Sequence, residues 1–126
     1  MKHIFYFLFL ILFVTCTIDN EYDYFNQHDC DTIGISYVNS NLDKSIQAII
    51  NSKCLSCHSE LNMAQGSFVV LETYEQLTNS SYDLYDLLVG PNASMPKVGS
   101  PQLTDCEKLK IDNWINNQYP YDEMGR

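Results

Sequence analysis

Two thiols and an imidazole fall within five residues, Cys54-Leu55-Ser56-Cys57-His58, and this run constrains the chain more than any other. C-x-x-C-H is the spacing used to attach a c-type haem. On one helical turn, each thiol can add to one of two adjacent vinyl groups. The histidine that follows is then held beneath the iron as its proximal ligand, a role imidazole suits. Two other chemistries use paired thiols. A zinc site needs a second ligand pair, and no further C-x-x-C or histidine cluster follows His58. A thioredoxin-like dithiol opens a helix that a strand precedes, whereas a helical pattern runs into these cysteines from the N-terminal side. The expectation is therefore one covalent haem c, held through Cys54 and Cys57, with iron on His58.

The flanking pattern is helical. Ser40 or Asn41 can cap a helix whose first turn holds Asp43, where the helix dipole favours an acid. Ile46, Ile49 and Ile50 recur at helical spacing, with Leu42 and Cys54 on the same face, which predicts one helix over about 42 to 53. After His58 a loop carries Gly66, and Phe68-Val69-Val70-Leu71 reads as strand-like or as packing over the porphyrin. Thr73 opens a short helical stretch with Tyr74 and Leu77. Ser81 opens another, with Leu84, Tyr85, Leu87 and Leu88 on its apolar face and Gly90-Pro91 as its stop. These aromatics and leucines are expected to wall the haem. Thr104 and Glu107 fit a capping box at the start of a last helix. Its apolar face is Leu109, Ile111, Trp114 and Ile115, it runs to about residue 118, and Trp114 is its core anchor.

Between the last two helices lies a loop, 90–101, centred on Ser94-Met95-Pro96. Proline pushes the residue before it towards extended geometry, and a stiffened loop can hold a thioether at a fixed distance from iron. Met63 is too close to His58 in sequence to reach the other face of a porphyrin. Met124 lies in a C-terminal tail and His28 in an N-terminal tether. Met95 is accordingly the expected distal ligand.

The N-terminus reads as an address. Lys2 precedes an apolar run from Ile4 to Val14. That is too short for a comfortable membrane span of about twenty residues but the size of a signal-peptide core. The run ends in Phe13-Val14-Thr15-Cys16, which resembles the lipobox of bacterial lipoproteins, with Thr15 and Phe13 in place of its usual small residue and leucine. The resemblance implies cleavage before Cys16 and lipidation of its thiol, and several acyl chains anchor a protein stably. The expected organisation is a signal peptide at 1–15, an acidic tether at 16–29, a folded domain at 30–120 and a tail at 121–126. Sixteen acids against seven bases give a net charge of −9. Nucleic acid is thereby an unsuitable partner, and a redox protein with a basic docking patch a suitable one.

Taken in order, a helix, Cys54-x-x-Cys57-His58, a connecting helical region, Met95-Pro96 and a closing helix with Trp114-Ile115 resemble the small class I, mono-haem cytochromes c. The resemblance spans roughly residues 30 to 120. Asp19-Asn20-Glu21, Cys30-Asp31-Thr32 and Thr104-Asp105-Cys106 look more narrowly like small lipoprotein-anchored cytochromes. It implies an all-α, cytochrome c-like domain wrapped around one covalent haem, with its first and last helices crossing beside the haem. His58 and Met95 are then the axial ligands, Cys54 and Cys57 the thioether attachment points, and attachment is completed outside the cytoplasm, in agreement with an exported chain. Two departures stand out. Asn117-Gln118-Tyr119 replaces the glycine stop usual after Trp-Ile, and the segment between His58 and Met95 follows no family pattern.

Of five cysteines, one goes to lipid and two to haem. The remaining Cys30 and Cys106 are expected to pair, as leftover thiols do in exported proteins. The function expected is one-electron transfer and not enzymatic catalysis, since no nucleophile–base pair, second metal motif or phosphate loop is present. A haem-based sensor or ligand binder, with Met95 displaced or uncoordinated, is the alternative. A haem peroxidase is disfavoured, because a lone small domain offers no second haem or distal catalytic histidine.

Overall fold

The computed structural model describes residues 30–62, 68–79 and 81–126. The expected signal peptide, the Cys16 lipidation site, the tether with His28, and Met63 lie outside the described residues. Within them the architecture is all-α: five α-helices, a single 3-10 turn and no β-strand.

The expected 42–53 helix is split in two. Asn41 caps a 3-10 turn, Leu42–Lys44, and the α-helix proper, α1 (Ile46–Lys53), begins one residue later. Ser45 makes the break. Its backbone is extended (φ −94°, ψ 118°), its Oγ accepts from the Ala48 amide, and the same hydroxyl donates to the Tyr37 carbonyl at 3.0 Å. The break rotates Leu42 off the apolar face, leaving it 73% exposed, while Ile46, Ile49 and Ile50 are buried as their spacing predicts. Each such side chain contributes roughly 1.5–3 kcal/mol through burial.

Cys54 both ends α1 and starts the one-turn α2 (Leu55–His58). Two further short helices follow, α3 (Tyr74–Leu77) and α4 (Leu84–Leu88). Thr73 and Gln76 close a capping box on α3. Asp83 caps α4 through the Asp86 amide, so that helix starts later than Ser81. The last helix, α5 (Asp105–Asn116), begins with the Thr104–Glu107 capping box that the sequence spells out. Its exposed Leu109 departs from the expected apolar face, whereas Ile111 and Trp114 are buried.

α5 stops without a glycine. Gln118 and Tyr119 take left-handed backbone conformations (φ 63° and 57°). The Tyr119 amide bonds the Trp114 carbonyl and the Gln118 amide bonds the Ile115 carbonyl, each at 3.0 Å. This is the bonding of a Schellman stop, and its usual apolar contact is the edge-on packing of Tyr119 against Trp114, with ring centroids 5.0 Å apart. The fully buried Trp114 donates its indole N–H to the Pro120 carbonyl at 3.0 Å.

α1 packs on α2 and α5, and α4 packs on α5. Cys30 and Cys106 form a disulfide (Cα–Cα 5.5 Å) that ties the N-terminal arm to the first turn of α5. The arm then runs between the start of α1 and the C-terminus. Tyr37 and Val38 donate to the carbonyls of Pro120 and Tyr121, while Ile46 and Gln47 donate back to Ser36 and Tyr37. Residues 121–126, read from the sequence as a tail, thus include a held segment: Glu123 accepts from the Ser40 amide, and Arg126 pairs with Asp122.

Candidate functional site

Cys54, Cys57, His58 and Met95 line one cavity of about 780 Å³, within the size range of cofactor pockets. Ile50, Leu71, Leu77, Leu84, Leu87 and Leu88 supply apolar wall. Of the residues expected to wall a haem, Tyr74 and Tyr85 do not line this cavity. Tyr74 packs instead among Tyr37, Trp114 and Tyr121, and Tyr85 is exposed. Edge-to-face aromatic packing and a bond from the Tyr74 hydroxyl to the Tyr119 carbonyl explain its turn into that cluster.

The thiols are positioned by helical geometry. Ile50 accepts the Cys54 amide at 2.8 Å, and Cys54 in turn accepts the amides of Cys57 and His58 at 3.1 and 2.9 Å. Cys54 is buried, Cys57 is half-buried, and neither is joined in a disulfide. Burial pushes the Cys54 thiol up to about 11, with smaller contributions from Cys57 and Glu107. A thiol protonated at neutral pH is a poor nucleophile and a poor redox centre by itself.

His58 is held at two points by the segment after the first loop. Its Nδ1 donates to the Val69 carbonyl at 2.8 Å, and Leu71 donates its amide to the His58 carbonyl at 2.9 Å. A carbonyl only accepts, so Nδ1 carries the ring proton and the neutral imidazole has its lone pair on Nε2, the arrangement of a metal-ligating histidine with an outer partner. Phe68-Val69-Val70-Leu71 is therefore not a strand; Phe68, Val69 and Leu71 line the cavity, and Val69 also holds the ring of His58. Phe68 is largely exposed, and the working group is a main-chain oxygen.

Met95 is half-buried and reaches the cavity from the loop after α4, where the amides of Ser94 and Met95 both bond the Leu87 carbonyl. The Met95–Pro96 peptide is cis. Among the described residues no group of three or more His, Cys, Asp or Glu side chains is placed to hold a metal ion, and no helix is long and apolar enough to cross a membrane.

The residues fit a covalent haem in donor chemistry: two unjoined thiols and an oriented imidazole share an apolar cavity with a thioether. Sequence reasoning missed the Val69 carbonyl, because a main-chain acceptor carries no residue-type signal. It also passed over Lys53 and Lys97, which line the cavity. Their signal was adjacency, since Lys53 directly precedes Cys54 and Lys97 directly follows Met95-Pro96. No protein-family model, curated protein or solved structure matches this chain.

Proposed function

We propose that the protein is a c-type cytochrome. More narrowly, it is a small mono-haem carrier of the class I type, exported and held at a membrane through Cys16, that passes single electrons between extracytoplasmic redox proteins. The observation that carries this reading is the shared cavity of Cys54, Cys57, His58 and Met95 with its apolar wall. When bound, haem supplies a reversible one-electron couple, which a thioether ligand biases towards ferrous iron.

The chain's own residues then have distinct tasks. Cys54 and Cys57 fix the cofactor to α2, so that it cannot dissociate between partners. His58, oriented by Val69, presents Nε2 to the metal. Met95 offers the second donor from a loop tied to α4. The leucines exclude water, which keeps the reorganisation that accompanies each electron small.

The test is expression in a host competent for c-type maturation. The purified protein should be red, with one haem per chain by pyridine haemochrome, and the ferric form should carry the weak long-wavelength band of an iron–thioether bond. Met95→Ala should abolish that band and lower the midpoint potential. A colourless wild type with both thiols alkylatable would refute the proposal. Rapid carbon monoxide binding by the reduced wild type would instead favour a sensor or ligand binder. Cys16→Ser should release the protein from membranes, and unchanged retention would remove lipidation from the reading.

A further inference from the structure

The chain carries a net charge of −9, yet no Asp or Glu among the described residues lines the cavity, and its cationic lining residues are Lys53 and Lys97. A cavity with a sign of charge opposite to the whole molecule selects an anion, or the anionic end of a larger ligand. The two lysines are not scattered. Gln102 connects them: its side-chain amide nitrogen donates to the main-chain carbonyls of Lys97 and Ser100 at 2.9 and 2.8 Å, and its main-chain carbonyl accepts from the Lys53 ammonium at 2.9 Å. The Lys97 carbonyl also takes the Ser100 amide at 3.0 Å, so the backbone that bears Lys97 is fixed on both counts.

The two ammonium groups differ in what they already bind. Lys53 lies 3.4 Å from the Glu107 carboxylate, which offsets part of its charge. Lys97 is exposed at the cavity and forms no salt bridge with a described residue. An ammonium is a strong partner for a carboxylate, as charge-assisted hydrogen bonds are roughly twice as strong as neutral ones.

We infer that Lys97, with Lys53 fastened beside it through Gln102, forms the carboxylate-binding end of the cavity and receives the propionates of the haem. The inference rests on the haem reading. It assigns Lys97 the larger share, because Lys53 is already shared with Glu107. A positive charge there favours the reduced iron, both directly and by offsetting a carboxylate.

The experiment is a redox titration of the haem-loaded protein and its variants at one pH and low salt. Lys97→Gln should shift the reduction equilibrium against the ferrous form by about threefold and Lys97→Glu by about tenfold, the latter equal to about 59 mV for a one-electron couple. Lys97→Arg should stay within twofold of the wild type, Lys53→Gln should shift less than Lys97→Gln, and Lys108→Gln on the outer surface of α5 should not shift. Fully haem-loaded Lys97→Gln and Lys97→Glu proteins with wild-type potentials would overturn this inference alone. So would a Lys108→Gln shift as large as that of Lys97→Gln, which would make the effect one of net charge. A wild type without haem would overturn the cytochrome reading and this inference together.

Discussion

The Nδ1 of His58 donates to the main-chain carbonyl of Val69 at 2.8 Å, across a separation of eleven residues. With the return bond from Leu71 to the His58 carbonyl, the segment after the first loop grips both the ring and the backbone of this residue. An imidazole held this way has its rotation and its tautomer set before any metal arrives, and such outer partners raise the basicity of the ligating nitrogen.

The first consequence is a protected ring proton. One net hydrogen bond is worth about 0.5–1.5 kcal/mol, so the Nδ1 proton of His58 in the reduced, haem-loaded protein should exchange about tenfold more slowly than that of a free imidazole. Proton NMR in deuterated water measures this. Exchange at the free rate would show that Val69 does not hold the ring in solution.

The disulfide closes a long loop. Cys30 and Cys106 are 76 residues apart, and chain-entropy reasoning assigns a closure of that length about 4 kcal/mol. A Cys30→Ser/Cys106→Ser double variant should therefore lose about that much in urea unfolding, with an unchanged haem spectrum if it is still folded at the start of the titration. A loss under about 1 kcal/mol would mean that the arm is organised by the Tyr37 and Val38 hydrogen bonds instead.

Gln118 sits where glycine is at ease. A left-handed conformation costs an L-residue roughly 1–2 kcal/mol, and φ is 63° at this position. Glycine would relieve that cost but lose more freedom on folding, by about 0.5–1 kcal/mol relative to alanine. Gln118→Gly is thus expected to stabilise by about 0.5–1 kcal/mol and to raise Tm by a few degrees in calorimetry. Gln118→Val, β-branched at the same φ, should lower it. Destabilisation by glycine would show that the Gln118 side chain contributes more than its backbone costs.

Both pH extremes should act through identifiable groups. Burial raises the phenol of Tyr37 above its ordinary 10.0, and those of Tyr74 and Tyr82 likewise. Above that ordinary value the unfolded chain releases phenolic protons that the folded chain retains, so stability present at lower pH is lost as pH rises through the folded-state values. Tyr37→Phe should move the alkaline unfolding midpoint, followed by circular dichroism, to higher pH. In acid the signs reverse. A hydrogen bond from Lys44 holds Asp31 below its ordinary 3.8, and one from Ser40 holds Glu123 below 4.5. Their contributions are present above those ordinary values and are lost as pH falls through the depressed ones. Lys44→Met should raise the Asp31 titration towards 3.8 by NMR, and an unmoved titration would reject the pairing seen at 2.7 Å.

How far the sequence announced this architecture depended on whether a signal was local. The Thr104–Glu107 capping box and the buried Ile46, Ile49 and Ile50 are short-range patterns, and they appear where the spacing puts them. The Cys54-x-x-Cys57-His58 run and Met95 stood out in the sequence by residue type and spacing, and the chain brings them to one cavity. What misled was tertiary. Ser45 could be read as helix interior until the Tyr37 carbonyl, arriving from the N-terminal arm, gave its hydroxyl a partner outside the helix. Tyr74 has the spacing of a pocket residue, but the aromatic cluster with Trp114 and Tyr121 offered more contact. The stop of α5 looked incomplete without glycine, because a backbone hydrogen-bond pattern can impose a conformation that residue preference alone does not suggest.

The arm that passes between α1 and the C-terminus makes closure of the domain a late event. Chains emerge N-terminus first, so Tyr37 and Val38 have no carbonyls to bond until Pro120 and Tyr121 have been delivered. The pairing of this arm with Pro120 and Tyr121 thus joins two segments that synthesis separates by more than eighty residues.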